Sequence, residues 1–154
     1  MNSVAFVSQL AEHCGVMAED ITVEEREDET STLLQLTIPE EDSGRFIGHH
    51  GESLEAIQRI TRLVFQKEGD KRLIVNINTY REDRVERLRE IVTAVIERIR
   101  ETGESHTFQS FLSSHERFVV HTVVSELDPE GEFESVSYGE GRDRRLTIQR
   151  KQAQ

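Results

Sequence analysis

The sequence predicts an α+β fold in two small parts. Three observations carry the prediction. Some stretches repeat their apolar residues every three to four positions and others every second position, the periods of a helix and of a half-buried strand. Turn-forming residues fall between these stretches, at Gly15, Pro39, Gly48, Gly51, Gly69 and Gly103. The 154 residues suffice for one or two modest cores.

Residues 3–14 set Val4, Val7, Leu10, Ala11 and Cys14 at helical spacing, and Gly15 closes that helix. Residues 21–27 alternate weakly. Residues 32–38 alternate well, with Leu34, Leu36 and Ile38 on one face, and Asp28 and Glu29 between the two runs suit a hairpin turn. Pro39 ends the second strand because it has no N–H for a ladder. A short element around residues 40–47 leads into Gly48-His49-His50-Gly51. Beyond it Leu54, Ile57, Ile60 and Val64 recur at helical spacing, with Glu55 and Arg59 four apart as an ion pair. Gly69 and Asp70 turn the chain into the β-rich run Leu73–Ile77. The order over residues 1–78 is therefore α-β-β-α-α-β.

Residues 80–101 form a long helix in which Val85, Leu88, Val92, Val95 and Ile99 recur at spacings of three and four. A stripe this short is expected to be a packing face rather than a coiled coil, and residues 79–103 are expected to connect the two parts. Residues 106–110 suit a short strand. Ser113-x-x-Glu116 is a capping-box pattern that opens a helix over 114–127. Residues 133–139 and 144–150 alternate around a turn at 140–143, which predicts a second hairpin. The second part, residues 104–154, reads as β-α-β-β.

The formal net charge is −11, which argues against indiscriminate coating of nucleic acid. The excess is local. Residues 1–42 hold 11 acids and one base, Arg26, so the rest of the chain is nearly neutral and has room for basic patches. The single cysteine, Cys14, allows no internal disulfide and fits a reducing cytosol. No stretch approaches the roughly 20 apolar residues of a membrane helix, so no membrane insertion is expected. The first ten residues lack a basic start, so no secretory signal is expected either.

Two segments carry the chemistry. In the first, Ile47-Gly48-His49-His50-Gly51 stands directly before an amphipathic helix. Glycines let another backbone approach closely, and a helix N-terminus offers unpaired N–H groups and partial positive charge. In this element order the pattern predicts phosphate binding rather than a plain helix–helix turn. The second is Arg117-Phe118-Val119-Val120-His121. Arg117 and His121, four apart, share a helix face beside a core stripe of Val119, Val120, Val123 and Leu127. Arg142, Arg144 and Arg145 follow in the second hairpin, where they could complete a basic patch.

With these residues in this order, the first part resembles a KH domain of the bacterial kind, type II, and the whole is similar to the Jag (KhpB) family. In that family a KH domain precedes a small Arg-x-x-x-His, or R-three-H, domain. The resemblance covers about residues 35–150. It implies a type II KH domain over 1–78, a connecting helix over 79–103 and an R-three-H domain over 104–154. It further implies a cytoplasmic single-stranded RNA-binding protein, a post-transcriptional regulator or RNA chaperone, that associates with a smaller KH-only protein. Carried onto this chain, Gly48–Gly51 would clamp nucleotide backbone, and Ile47, Leu54 and Ile57 would line a groove for unstacked bases. Many such loops carry Lys or Arg where this one has His49 and His50; Arg45, Arg59 and Arg62 are the nearest cations. In the second domain Arg117 and His121, with Arg142, Arg144 and Arg145, would meet the RNA.

Catalysis is not expected. Six histidines are present, but none forms His-Glu-x-x-His: Val119 stands where the second ligand after His115-Glu116 would be. Cys14 has no partner at zinc spacing. No nucleophile elbow, Walker loop or dinucleotide fingerprint occurs, so no metal or cofactor is expected. The competing expectation is an acidic protein-interaction module that keeps the KH fold but has little affinity for RNA.

Overall fold

The computed structural model describes residues 1–152, which divide into two compact units, Met1–Arg81 and the residues from Glu82 onward. The first unit opens with helix α1, Ser3–His13, whose N-terminus is capped by the Asn2 side chain accepting from the Ala5 N–H at 2.9 Å. Strands β1, Thr22–Glu27, and β2, Ser31–Thr37, form an antiparallel hairpin. Its turn is tied by Asp28, whose carboxylate accepts from the Thr30 and Ser31 N–H groups at 2.7 Å each and from the Ser31 hydroxyl at 2.6 Å. The Ser31 hydroxyl first, and then the two N–H groups, hold that carboxyl well below the usual carboxylate range.

Helices α2, Glu40–Ile47, and α3, Glu52–Phe65, then cross over to strand β3, Arg72–Ile77. The sheet order is β1-β2-β3, with β3 parallel to β2 and Leu34 opposite Val75. A parallel neighbour needs such a crossover, because a tight turn can join only antiparallel strands. Leu34, Leu36 and Ile38 are buried with Val75 and Ile77, and α1 covers them with Val7 and Ala11. The outer strand β1 exposes Glu24, Arg26 and Glu27, charges that discourage an added strand.

The second unit begins within helix α4, Tyr80–Thr102, and continues through β4, His106–Thr107, α5, Ser114–Leu127, β5, Phe133–Tyr138, and β6, Arg145–Arg150. Its sheet order is β4-β6-β5, antiparallel throughout. The expected connector is an integral part of this unit. Leu88, Val92, Val95, Ile96 and Ile99 of α4 are buried in one core with Val119, Val120 and Val123 of α5 and Leu146 and Ile148 of β6. The reason is physical: a three-stranded sheet and one helix of this length bury too little apolar surface alone, and α4 supplies the missing face.

The capping box at the start of α5 is complete. Ser113 Oγ accepts from the Glu116 N–H at 3.2 Å, and Glu116 accepts from the Ser113 N–H at 2.7 Å. The other Glu116 oxygen accepts from Arg84 Nε at 2.6 Å, in a pair whose side chains are only 8% and 18% exposed. No helix among the described residues is long and apolar enough to cross a membrane.

Candidate nucleic-acid interface

The loop between α2 and α3 owes its shape to its glycines. Gly48 has φ 72° and ψ −174°, a region essentially restricted to glycine. A Cβ there would also run into the Ser53 side chain and stand 2.9 Å from the Ser53 nitrogen. Gly51 has φ 79°, and a Cβ there would meet the Tyr80 hydroxyl at 2.9 Å. Between them His50 also adopts a left-handed conformation, at φ 52°, and the His49 and His50 rings lie 3.9 Å apart, both exposed. The chain thus presents two exposed imidazoles on a tightly curled backbone that runs directly into the N-terminus of α3.

The cations around this loop have unequal freedom. Arg45 donates to the Cys14 carbonyl at 2.8 Å and is paired with Asp42. Arg62 turns onto the sheet and donates from Nε to the Leu73 carbonyl at 2.6 Å. Burial first, and then the neighbouring Arg72, push its pKa down, and its Nη2 is buried without a partner. Arg59 remains exposed, with no ion pair among the described residues. Glu55, expected to pair with Arg59, instead meets Arg81 at 3.5 Å.

Arg81 and Gln58, which no motif in the sequence singles out, explain why. The outer edge of β3 has no strand beside it, yet side chains satisfy its backbone groups. Gln66 accepts from the Leu73 N–H and Gln58 from the Val75 N–H, both at 3.1 Å. Arg81 Nε donates to the Val75 carbonyl at 2.9 Å, and its guanidinium also reaches Gln58 at 3.0 Å. Burying that edge without partners would be costly, so α3 turns Gln58 and Thr61 inward with Leu54 and leaves much of its apolar stripe outside. Ile60, Leu63 and Val64 are 51%, 77% and 61% exposed. Leu54, expected to line a groove, is a core residue at 1% exposure, whereas Ile47 and Ile57 are partly buried at the margin of that core.

In the second unit Arg117, His121 and Arg144 come together. Arg117 is anchored by donating to the Leu112 carbonyl at 2.6 Å and to Ser114 Oγ at 3.0 Å. Two of its five N–H groups are thereby used and three remain. His121 Nδ1 lies 2.5 Å from Ser135 Oγ. Burial first, and then the charges of Arg117 and Arg144, lower the His121 pKa and favour its neutral form. No motif points to Ser135, but one signal does: Phe133, Ser135 and Ser137 share the inward side of β5, and a polar residue among inward positions signals a partner. Arg145 donates to the carbonyls of Arg142 and Arg144 at 2.6 and 3.1 Å and so holds its own turn. Glu140 and Asp143 share that turn with the arginines.

Comparison with known proteins agrees with this anatomy. The family profile described as KhpA/KhpB, KH domain, matches residues 4–77, and that of the R-three-H domain matches residues 86–150. The chain is 31% identical over 110 residues to the RNA-binding protein KhpB of Streptococcus pneumoniae, covering 70% of this chain and 32% of that protein. It is 28% identical over 138 residues to KhpB of Clostridium symbiosum, covering 84% of this chain and 61% of that one. Against KhpB of Bacillus subtilis it is 27% identical over 134 residues, covering 86% and 62%. The chain thus spans about a third to three fifths of the length of these relatives. The two profiles match in the order KH domain then R-three-H domain, and the chain belongs to the Jag (KhpB) family.

Proposed function

We propose that the chain binds single-stranded RNA in the cytoplasm, where it acts as a post-transcriptional regulator or RNA chaperone. The observation that carries this reading is the Gly48–Gly51 loop, which exposes His49 and His50 and leads directly into the N-terminus of α3, an end that no Gly51 side chain caps. A helix N-terminus favours phosphate, and the two glycines let a sugar-phosphate chain approach the backbone closely. The RNA-binding relatives support the same ligand. Positive charge is at hand in both units, from the exposed Arg59 on α3 and from Arg117 with the exposed Arg144. The test is the affinity for a short single-stranded RNA and for the same sequence in a duplex, measured across salt. A preference for the single strand and a steep fall with salt support the reading; no binding, or equal binding, overturns it.

Arg117 gives a sharper expectation. A phosphate contact carries no base information, so Arg117→Ala should weaken binding to all RNA sequences alike. It should also lower the salt slope by about 0.7, because one phosphate fewer is neutralised. Weakening confined to one sequence would make Arg117 a reader of bases instead.

A second reading concerns a protein partner. Ile60, Leu63 and Val64 put three neighbouring apolar side chains on the solvent side of α3, as a helix does when another surface covers it. A smaller KH-only protein is the partner proposed. Leu63→Glu should abolish association of the two purified proteins while the melting temperature stays native, because the side chain is 77% exposed. Retained association would put the partner elsewhere.

A further inference from the structure

Phe118 stands on the solvent side of α5 and is 67% exposed. It follows Arg117 directly and precedes His121 by three residues, so it shares a helix face with the imidazole. Single exposed apolar residues are common and by themselves mean nothing. The surroundings of this one decide the matter. Arg117 is fixed beside it by its bonds to Leu112 and Ser114, and Arg144 lies close enough for its charge to act on both Arg117 and His121. The acid of the same helical turn, Glu116, faces inward and spends both oxygens on Ser113 and Arg84. Ser114 and Thr122, one turn before and after Phe118, have short side chains. A flat apolar ring beside an anchored Arg117 and a nearby Arg144 is complementary to a chain in which aromatic bases alternate with phosphates.

We propose that Phe118 is the stacking platform for one unpaired nucleobase, with the adjoining phosphates on Arg117 and Arg144. This rests on the single-stranded RNA reading and adds a site to it. A base inside a duplex has both faces covered by its neighbours, so such a platform selects single strands. Stacking is indifferent to base identity, so the site adds affinity without sequence preference.

The chain contains no tryptophan, so Phe118→Trp installs a single fluorescent reporter at the site. Titrating full-length Phe118→Trp with a short single-stranded RNA should quench its fluorescence, and the matched duplex should leave it unchanged. Phe118→Ala should weaken single-strand binding by roughly 5- to 150-fold, the range that stacking of one base spans, with the salt slope unaltered. RNA that binds without quenching, or Phe118→Ala that binds as tightly as the native chain, overturns the platform and leaves the RNA reading standing. A salt slope that falls in Phe118→Ala also overturns it, because the residue would then act by positioning Arg117. A native chain that binds no single-stranded RNA sinks both.

Discussion

The double substitution His49→Asp, His50→Asp is expected to cost the first unit its grip on RNA while leaving its fold intact. Both side chains are exposed, and His50 sits at φ 52°, a conformation that aspartate tolerates better than most residues. Neither histidine contributes to the buried core, so circular dichroism should stay native. Each new carboxylate would face phosphate at close range. At 4 Å one such pair repels by about 1 kcal/mol in bulk water and by more near a protein surface. Two of them weaken binding by roughly thirty-fold or more. Unchanged affinity for single-stranded RNA would remove the Gly48–Gly51 loop from the interface. The remaining binding would then have to be carried by Arg117 and its neighbours.

Glu116→Ala is expected to destabilise the second unit strongly. It removes one half of the α5 capping box, at a cost of about 1 kcal/mol. It also leaves the Arg84 guanidinium, only 18% exposed, without its counter-charge. Breaking a buried pair from one side costs about 3–5 kcal/mol, a large share of the roughly 5–15 kcal/mol that holds a domain together. Glu116→Gln keeps an acceptor for the Ser113 N–H and should fall between Glu116→Ala and the native chain. Replacing Arg84 by Met in the Glu116→Gln background should recover part of the stability, since no buried charge is then stranded. Urea denaturation of the four proteins reads these differences. A destabilisation below about 1 kcal/mol for Glu116→Ala would mean that water solvates Arg84 once its partner is gone.

The order of elements was decided by local features alone, and that is why it could be read. Periods of two and 3.6 mark Thr32–Ile38 and Leu88–Ile99 without reference to anything distant. Ser113 and Glu116 announce the start of α5 within four residues. Gly48 and Gly51 are legible for the same reason: a backbone at φ 72° and 79° favours glycine strongly, so the residue type itself records the conformation. Tertiary structure alone decided which charged and apolar groups remain available. Arg62 and Arg45 look alike on paper as cations near the loop, yet the first is drawn to the unpaired Leu73 carbonyl and the second to the Cys14 carbonyl. The unpaired edge of β3 recruits Gln58 and Arg81, with Glu55 following Arg81, and this turns polar residues of α3 inward and its Ile60, Leu63 and Val64 outward. Helix α4 looks like a connector because its length is visible and its burial partners on α5 and β6 are not. Hydrogen-bond satisfaction and burial are settled between residues tens of positions apart, so spacing along the chain does not encode them.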